Sequence, residues 1–431
     1  MNHDSSEGSS AAVPVTPGYS AFLDPTVQRC PYNLYRHLQR NHPVFWDDVL
    51  QLHVVTTVDL IRKAALNTET FSNKGSLDFG MAPSLNTEAN EIRAGSYITE
   101  PLTVVTDPPV HTQYRRIMNN ALSAKRMAAA KPFVEDFAAR LLDQMLAKGG
   151  GDFVEEYASP LPFAVISTLM GFQEPMFAKM RQWADSYTQN LMGQLTAERA
   201  IECAHLSVEY HEFFAQLVEE RRKDPAPPDD LVTAVALARF DDGQFMSMVE
   251  ALSMIEQFVV AGAETTITAL GMGMLALAKQ PELLNEMRSD HQKIATFVEE
   301  ILRIFAPAQG LLRVALKDTE LGGVAIEKGA RVMLRWGAGN VDEAVYKNPD
   351  TIDLNRPNPR SHLTFGYGIH HCQGAPLARI ELLATFKLVT ERVQELALDE
   401  ALEPIEHKST MAFMGLKRLP VRMTGIANCV A

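Results

Sequence analysis

The sequence predicts a mainly α-helical protein with small antiparallel β-sheets. Over residues 123–277, apolar residues recur at helical spacing for most of the length. This pattern breaks at two turn-forming clusters, 148–152 with three glycines and 223–230 with three prolines. Short alternating or β-branched runs at 44–55 and 324–334 indicate strands. Helices therefore dominate, and the strands are few and short.

Composition places the chain among globular proteins and argues against some classes of function. With 431 residues, of which 46% are hydrophobic, the chain can bury a large core. A net charge of −13 argues against a nucleic-acid partner, because phosphate binding requires clustered Lys and Arg. We expect residues 1–18 to form a mobile polar tail and residues 19–431 to form a single domain.

The cysteines and the N-terminus indicate a cytoplasmic protein. The cysteines have no paired spacing, which suits a reducing compartment better than a disulfide framework. They are Cys30, Cys203, Cys372 and Cys429. The first residues lack the charged and apolar regions of a signal peptide. We therefore expect the protein in the cytoplasm, with no membrane partner.

One apolar stretch, residues 258–278, is long enough to cross a bilayer and carries a single charge, Glu264. A transmembrane helix is one interpretation, but the stretch lacks flanking basic residues and aromatic belts. We favour the central buried helix of a soluble protein. An acid in the middle of an apolar helix is then a candidate functional residue.

The strongest signal is the run FGYGIHHCQG at residues 365–374. Gly366 and Gly368 permit positive φ and let the backbone approach a flat cofactor closely. Cys372 precedes a helix start, whose partial positive charge stabilises a thiolate. The alternatives are an inert buried cysteine, or a zinc site built on this cysteine and the two histidines before it. Zinc sites usually use a second ligand pair at close spacing, which the sequence does not offer.

This run resembles the haem-binding signature of the cytochrome P-450 family, F-G-x-G-x-H-x-C-x-G, at every specified position. The resemblance implies the cytochrome P-450 fold, a triangular prism that holds haem b between a distal central helix and the helix after the proximal cysteine loop. It also implies Cys372 as the iron ligand, with Phe365 and Gly374 beside the cofactor. An axial thiolate favours O–O cleavage, so the expected activity is that of a monooxygenase using dioxygen.

The segment 261–266, AGAETT, resembles the distal-helix motif of the same family. Glu264 stands where the family often has Asp. The resemblance implies that Thr265 hydrogen-bonds the oxygen being activated and that Glu264 feeds protons from solvent. The alternative is a pair of threonines that bond back to the backbone of an ordinary core helix.

A third motif is expected to be structural. Glu300 and Arg303 match the family's E-x-x-R and share one helix face. The resemblance implies that both lock to Arg356. Such a buried network needs all its members, because loss of one leaves an unpaired charge.

Haem propionates require cationic donors. His111 and Arg115 match the family's H-x-x-x-R, and Arg313 and His370 occupy two further propionate-binding positions. His362 is a weaker candidate. For each of these residues the alternative is a solvated surface charge.

Electrons are expected to come from separate proteins. The chain ends 59 residues after Cys372, and no flavin or iron–sulfur segment follows that cysteine. The resemblance implies an iron–sulfur ferredoxin and its NAD(P)H-dependent ferredoxin reductase as partners. We expect local positive charge on the docking face from Lys125, Arg126, Lys131 and Arg379.

The predicted substrate pocket is apolar. The resemblance implies that the residues nearest the haem are Phe258, Val259, Ala261, Leu311, Leu312, Met411, Phe413 and Met414. We therefore expect a small, neutral, hydrophobic substrate such as a terpenoid or an aromatic compound, held mainly by burial. Ordinary core packing is the alternative for several of these residues.

Two other functions remain open at this point. Arg93 lies in a segment expected to cover the pocket as a long loop, where it would anchor an aromatic carboxylic acid as the substrate. A haem-binding sensor would share the cysteine loop but has no need of the Glu264–Thr265 pair.

Overall fold

The computed structural model describes residues 18–77, 86–192, 195–399 and 404–426. Within these ranges the chain is mainly helical with small sheets, so the predicted fold class is confirmed. The predicted mobile tail lies outside the described residues except for Gly18, and both it and the single domain stay predictions.

Sixteen α-helices lie within the described residues. They are α1 (Pro25–Arg29), α2 (Tyr32–Asn41), α3 (Val58–Leu66), α4 (Thr87–Ala94), α5 (Leu102–Val105), α6 (Val110–Ala121), α7 (Ala124–Lys148), α8 (Pro160–Leu169), α9 (Glu174–Met192), α10 (Ala197–Lys223), α11 (Leu231–Ala236), α12 (Met248–Lys279), α13 (Pro281–Ser289), α14 (Lys293–Phe305), α15 (Trp336–Gly339) and α16 (Ala375–Arg392). The glycine cluster predicted to break the helical pattern follows α7, and the proline cluster follows α10.

Twelve short strands lie within the same ranges. They are β1 (Val44–Asp47), β2 (Leu52–Val55), β3 (Phe71–Ser72), β4 (Gly150–Asp152), β5 (Leu311–Ala315), β6 (Thr319–Leu321), β7 (Val324–Ile326), β8 (Arg331–Leu334), β9 (Val393–Leu398), β10 (Glu406–His407), β11 (Leu416–Arg418) and β12 (Pro420–Gly425). The order in the largest sheet is β1-β2-β8-β5-β3, and a second sheet has the order β4-β12-β9. One pair departs from the antiparallel prediction: β2 and β8 run parallel, with Leu52 opposite Arg331.

Helix α12 is the centre of the fold. Its start is fixed by a capping box in which the Ser247 side chain accepts from the N–H of Glu250 and the Glu250 carboxylate accepts from the N–H of Ser247. It packs against α8, α9, α10, α14 and α16. Its length and composition suffice for a membrane span, but 72% of its most apolar window is buried in the protein. A helix buried to this extent is a core helix, as predicted.

Helix α16 approaches α12 closely where α12 has a glycine. A Cβ added at Gly273 would lie 2.3 Å from Cζ of Phe386, which is fully buried on α16. The Phe386 ring also meets Phe297 of α14 edge to face, with centroids 5.0 Å apart. These contacts set the separation between α12 and the start of α16, where the cysteine loop lies.

Candidate active site

A cavity of about 1540 Å³ lies between α12 and the segment that leads into α16. Thr265 on one side and Cys372 on the other both line it. The structure therefore brings the acid–threonine motif and the cysteine loop to one space, although 107 residues separate Thr265 from Cys372 in the chain.

The cysteine loop takes its shape from two glycines and one hydrogen bond. Gly366 and Gly368 have φ of 72° and 77°, which favours glycine over residues with a Cβ. The N–H of Cys372 donates to the carbonyl of Phe365 at 2.8 Å, which closes the loop. Helix α16 begins at Ala375, so the cysteine lies just ahead of a helix N-terminus.

Opposing effects act on the pKa of the Cys372 thiol. Burial among protein atoms raises its pKa above the ordinary value, although the residue is exposed where it lines the cavity. The N–H groups of Gly374 and Ala375 and the guanidinium groups of Arg115 and Arg379 lower that pKa. These donors and charges favour a thiolate, the form in which sulfur binds a metal.

Four cationic or potentially cationic side chains gather beside this loop. Arg115 and His370 line the cavity, and Arg115 also donates to the carbonyl of His371. Arg313 lines it too, is only 2% exposed, and donates to the carbonyl of Leu312. Burial lowers the pKa of Arg313 to about 10. Among the described residues, no carboxylate lies within ion-pair distance of Arg313.

His111 is buried behind this wall and packs on His370, with ring centroids 4.2 Å apart. Burial, together with the neighbouring His111 and Arg313, lowers the pKa of His370 to about 3. The Nε2 atoms of both histidines are buried without a hydrogen-bond partner among the described residues. His370 does use its Nδ1, which lies 3.1 Å from the carbonyl of Thr103.

These residues fit a haem. The cavity offers a cysteine sulfur on one wall and, beside it, a buried guanidinium without a carboxylate and two imidazole nitrogens without partners. A flat ring with two carboxylates supplies what the buried donors lack. The alternative of a zinc site is not supported, because no group of three possible metal ligands occurs in the described part of the chain.

The acid–threonine pair lies on α12 opposite the loop. Thr265 Oγ1 donates back to the carbonyl of Ala261 at 3.2 Å, and the hydroxyl lies in the cavity wall. Glu264 does not contact Thr265 here; its Oε2 accepts from Nζ of Lys408 at 2.6 Å. Asp185 of α9 also lines the cavity, and burial, with a contribution from Glu264, raises its pKa to about 6. The sequence analysis named neither Lys408 nor Asp185.

The predicted lock forms a closed network. Arg303 donates to both carboxylate oxygens of Glu300, at 2.7 and 2.9 Å, and Nε of Arg356 donates to Oε1 at 2.8 Å. The side chains of Glu300 and Arg303 are fully buried, and that of Arg356 is 4% exposed. We call these three residues the Glu300 lock.

A second buried network surrounds Glu299, which sequence reasoning did not single out. Arg379 binds the carboxylate through two nitrogens, at 2.7 and 2.9 Å, and His362 Nε2 lies 3.0 Å from Oε2. Arg360 adds a contact at 3.2 Å. His362 therefore pairs with Glu299 and does not line the cavity, and Arg379 is neutralised by an acid. We call these four residues the Glu299 network.

The predicted pocket residues fall into two groups, those that line the cavity and those that point away from it. Those that line the cavity are Phe258, Ala261, Leu311, Met411, Phe413 and Met414. Two predictions were wrong. Val259 points into the helical core while its neighbour Val260 lines the cavity, and Leu312 packs into a core cluster while Leu311 faces the cavity. Adjacent residues on a helix or strand point in different directions, so one of each pair is buried elsewhere.

Arg93 does not lie where a carboxylate anchor is needed. It belongs to the short helix α4, so the predicted long covering loop is partly helical. Its guanidinium donates to Asn190 and to the carbonyl of Ala200, and Arg93 does not line the cavity. The structure therefore gives no support to an aromatic acid bound by this arginine.

Comparison with protein-family models identifies one match, the cytochrome P450 family, over residues 96–418. Among curated proteins, the chain is 33% identical to 6-deoxyerythronolide B hydroxylase of Saccharopolyspora erythraea over 74% of this chain and 77% of that protein. It is 30% identical to steroid C26-monooxygenase of Mycobacterium tuberculosis over 90% of this chain and 93% of that protein. Both names describe oxygenating enzymes.

Solved structures agree with these sequence matches. Cytochrome P450 CYP109Q5 from Chondromyces apiculatus superposes with a TM-score of 0.81 at 27% identity, covering 94% of this chain and 97% of that chain. The predicted prism-shaped fold is thereby confirmed.

Proposed function

Because this chain belongs to the cytochrome P450 family and is a monooxygenase of that family, we propose that it hydroxylates a small hydrophobic substrate with electrons from a separate ferredoxin. The observation that best supports the proposal is that Cys372 and Thr265 line one cavity. In the overall reaction, a substrate C–H bond, dioxygen, two electrons and two protons give an alcohol and water. The haem supplies dioxygen activation when it is bound.

The chain's own residues hold this cofactor. The Cys372 sulfur would bind the haem iron, and the side chains of His111, Arg115, Arg313 and His370 would hold the two propionates. Phe365 and Gly374 form the adjoining wall, since both line the cavity beside the sulfur. Two of these four donors, His111 and Arg313, are buried, so a carboxylate bound to them would meet little competition from water.

Two residues of α12 move protons. Glu264 is a carboxylate with a partly exposed side chain, so it can exchange protons with solvent while it is held by Lys408. We propose that it swings from Lys408 toward the Thr265 hydroxyl and delivers protons to the cavity side of α12. Thr265 then passes them on by exchanging its bond to the Ala261 carbonyl for one toward the cavity.

The substrate is held mainly by burial. Apolar side chains from α12, β5 and the turn at 411–414 line the cavity. Apolar surface removed from water contributes about 25 cal/mol per Å², so affinity follows the apolar area of the ligand. A relative named for a steroid is consistent with this class, and we keep terpenoids and aromatic compounds as the first candidates.

Electron supply is assigned to an iron–sulfur ferredoxin and an NAD(P)H-dependent reductase, and the site of action to the cytoplasm. The expected positive docking face is weaker than the sequence suggests, because Arg126 pairs with Asp229 and Arg379 with Glu299. Lys125 is exposed and has no acid partner among the described residues. At low ionic strength, Lys125→Glu is expected to slow ferredoxin-dependent reduction, and an unchanged rate contradicts this assignment.

Thr265→Ala tests the function, with Thr266→Ala as its matched control. Thr266 is 3% exposed and bonds to the carbonyl of Gly262 at 3.2 Å, so it shares the chemistry of Thr265. It also lines the cavity, but as the next residue on the helix it points about 100° around the axis from Thr265. With substrate and redox partners, Thr265→Ala is expected to consume NAD(P)H and release peroxide in place of product, while Thr266→Ala stays coupled. A haem-binding sensor would show no turnover in either variant, which would overturn the proposal.

A further inference from the structure

We infer that Glu256, which lies eight residues before Glu264 on α12, forms with Tyr187 of the same cavity wall a receptor for a protonated amine on the substrate. This inference rests on the proposed function and narrows its substrate class to hydrophobic molecules that carry an amine. It replaces the expected neutral substrate by an amphipathic cation.

The first support is the charge inventory of the cavity wall. Most of its acids have a cationic partner within 4 Å. The pairs are Asp152 with Arg418, Glu155 and Asp185 with Arg181, Glu264 with Lys408, and Glu406 with Lys417. Glu381 is 1% exposed, and burial raises its pKa well above the ordinary value, which disfavours its charged form.

Glu256 is the exception in this inventory. It lines the cavity, is 8% exposed, and has no Lys or Arg within 4 Å among the described residues. Its Oε2 accepts from the Thr99 hydroxyl at 2.5 Å, and its Oε1 lies 3.7 Å from Nε2 of His211. A buried carboxylate is costly unless it is paired, so a cation from the ligand is the complement that this carboxylate lacks.

The same inventory disfavours an anionic ligand. Away from the cofactor-facing guanidinium groups of Arg115 and Arg313, each Lys or Arg in the described cavity wall is already bound to an acid. A carboxylate or phosphate on the substrate would have to displace one of those acids. An amine would not.

The second support is a set of polar groups around Glu256 that lack partners. His211 and Tyr210 of α10 are 3% and 4% exposed, and neither His211 Nε2 nor the Tyr210 hydroxyl has a hydrogen-bond partner among the described residues. The Thr188 hydroxyl of α9 also has no partner among the described residues and, unlike His211 and Tyr210, Thr188 lines the cavity. Buried polar groups are normally satisfied, so an unsatisfied hydroxyl in the same cavity wall as Glu256, with two more such groups behind it on α10, indicates a place for a polar ligand.

Tyr187 supplies the aromatic part of the receptor. It lines the cavity, as Glu256 does, and its pKa is raised by burial and then by the negative charge of Glu256. A cation between a carboxylate and an aromatic ring gains from both. An ammonium group would donate its N–H to Glu256 and place its alkyl groups against Tyr187.

The position of Glu256 also sets the shape of the substrate. It lies eight residues before Glu264 on α12, which is about 12 Å along the helix axis at ~1.5 Å per residue. Between the two acids the cavity wall has Gln257 next to Glu256 and then the apolar residues Phe258, Val260 and Ala261. A ligand with an apolar body of about this length, an amine at one end and the oxidised carbon at the other fits both regions.

The test titrates the haem-loaded protein with three ligands that share a twelve-carbon chain: N,N-dimethyldodecylamine, 1-dodecanol and dodecanoate. Affinity is measured by calorimetry and by the shift of the haem Soret band. The amine is expected to bind at least ~10-fold more tightly than the alcohol, and dodecanoate most weakly, because a charge-assisted hydrogen bond adds to the same apolar burial. A preference for dodecanoate would overturn the inference.

Glu256→Gln keeps the shape and removes the charge. It is expected to weaken amine binding by roughly 10- to 100-fold and to change dodecanol binding by less than ~3-fold. The matched control is Glu212→Gln, which removes an acid from an exposed position of α10, and it should leave both affinities unchanged. Equal losses for amine and alcohol, or an unchanged amine affinity, would overturn the inference.

A second variant covers the case in which Glu256→Gln does not fold. Tyr187→Leu keeps an apolar side chain and removes the ring, and it is expected to weaken amine binding by roughly 3- to 30-fold relative to the alcohol. A selectivity that does not change would count against the receptor. Calorimetry measures affinity and not turnover, so a failure of the proposed oxygen chemistry in Thr265→Ala would leave this result interpretable.

Discussion

The Glu299 network makes a quantitative prediction about stability and pH. Glu299 is 3% exposed, and burial alone would raise its pKa; the hydrogen bond from His362 and the bidentate contact with Arg379 outweigh this and lower the pKa from 4.5 to about 2. Burial lowers the pKa of His362, so we assign the charge that holds Glu299 ionised to the arginine. One pKa unit corresponds to about 1.4 kcal/mol, so the network contributes roughly 3 kcal/mol at neutral pH.

The sign of the pH dependence follows from the direction of this shift. The folded pKa lies below the unfolded one, so the contribution is fully present above about pH 4.5 and is lost as the pH falls toward 2. Glu299→Gln is therefore expected to lower the free energy of unfolding by roughly 3 kcal/mol at pH 7. The difference from the unmodified protein should fall to about half of that by pH 3.

Urea denaturation followed by tryptophan fluorescence measures this difference at each pH. Glu286→Gln is the matched control, because Glu286 forms an exposed ion pair with Lys293 at 2.8 Å. Exposed pairs contribute about 0–1 kcal/mol, so this variant should remain close to the unmodified protein. If Glu299→Gln and Glu286→Gln destabilise equally, or if the Glu299→Gln deficit stays constant from pH 7 to pH 3, the reasoning is refuted.

Two further predictions concern the packing of the core around the cavity. Arg356→Met leaves the Glu300 lock incomplete and is expected to cost about 3–5 kcal/mol, against less than ~1 kcal/mol for Arg360→Met, whose side chain is 72% exposed. Equal midpoints in urea would contradict the lock. Gly273→Ala forces the buried Phe386 ring to move and is expected to destabilise by about 1–3 kcal/mol. Gly271→Ala is the control: the added Cβ would lie 3.6 Å from its nearest atom, so this variant should be neutral or more stable by up to ~1 kcal/mol in thermal unfolding. If Gly273→Ala is as stable as the unmodified protein, α12 and α16 are not tightly packed at this point.

Short-range patterns carried most of what the sequence could predict. The cysteine loop spans ten residues and the segment with the acid–threonine pair spans six, so both can be recognised in the sequence without knowledge of the fold. The glycine cluster and the proline cluster likewise place the ends of α7 and α10 close to their observed positions. Such signals survive because local chemistry alone determines them.

The direction in which each side chain points and the pairing of strands far apart in the chain could not be predicted from the sequence. Val259 and Leu312 were assigned to the pocket because the family resemblance places their segments there, yet each is one residue out of phase with the cavity wall. The parallel pairing of β2 with β8 joins short strands far apart in the chain, and strands of four residues do not specify their partners.

The missed acids illustrate the same limit. Glu299 finds its partners 63 and 80 residues away, so nothing beside it in the sequence marks it as different from Glu300. Glu256 could have been identified by the argument that identified Glu264, namely that an acid in an apolar helix is a candidate functional residue. It was missed because the apolar stretch considered began at Phe258, two residues after Glu256.

The central claim is that the Cys372 sulfur binds the iron of a haem. The most direct measurement is the absorbance spectrum of the purified protein after reduction and exposure to carbon monoxide, compared with that of Cys372→His. We predict the red-shifted Soret band of a thiolate-ligated haem in the unmodified protein and its loss in the variant. A colourless protein after expression with ample haem, or identical spectra for the two proteins, would contradict the claim.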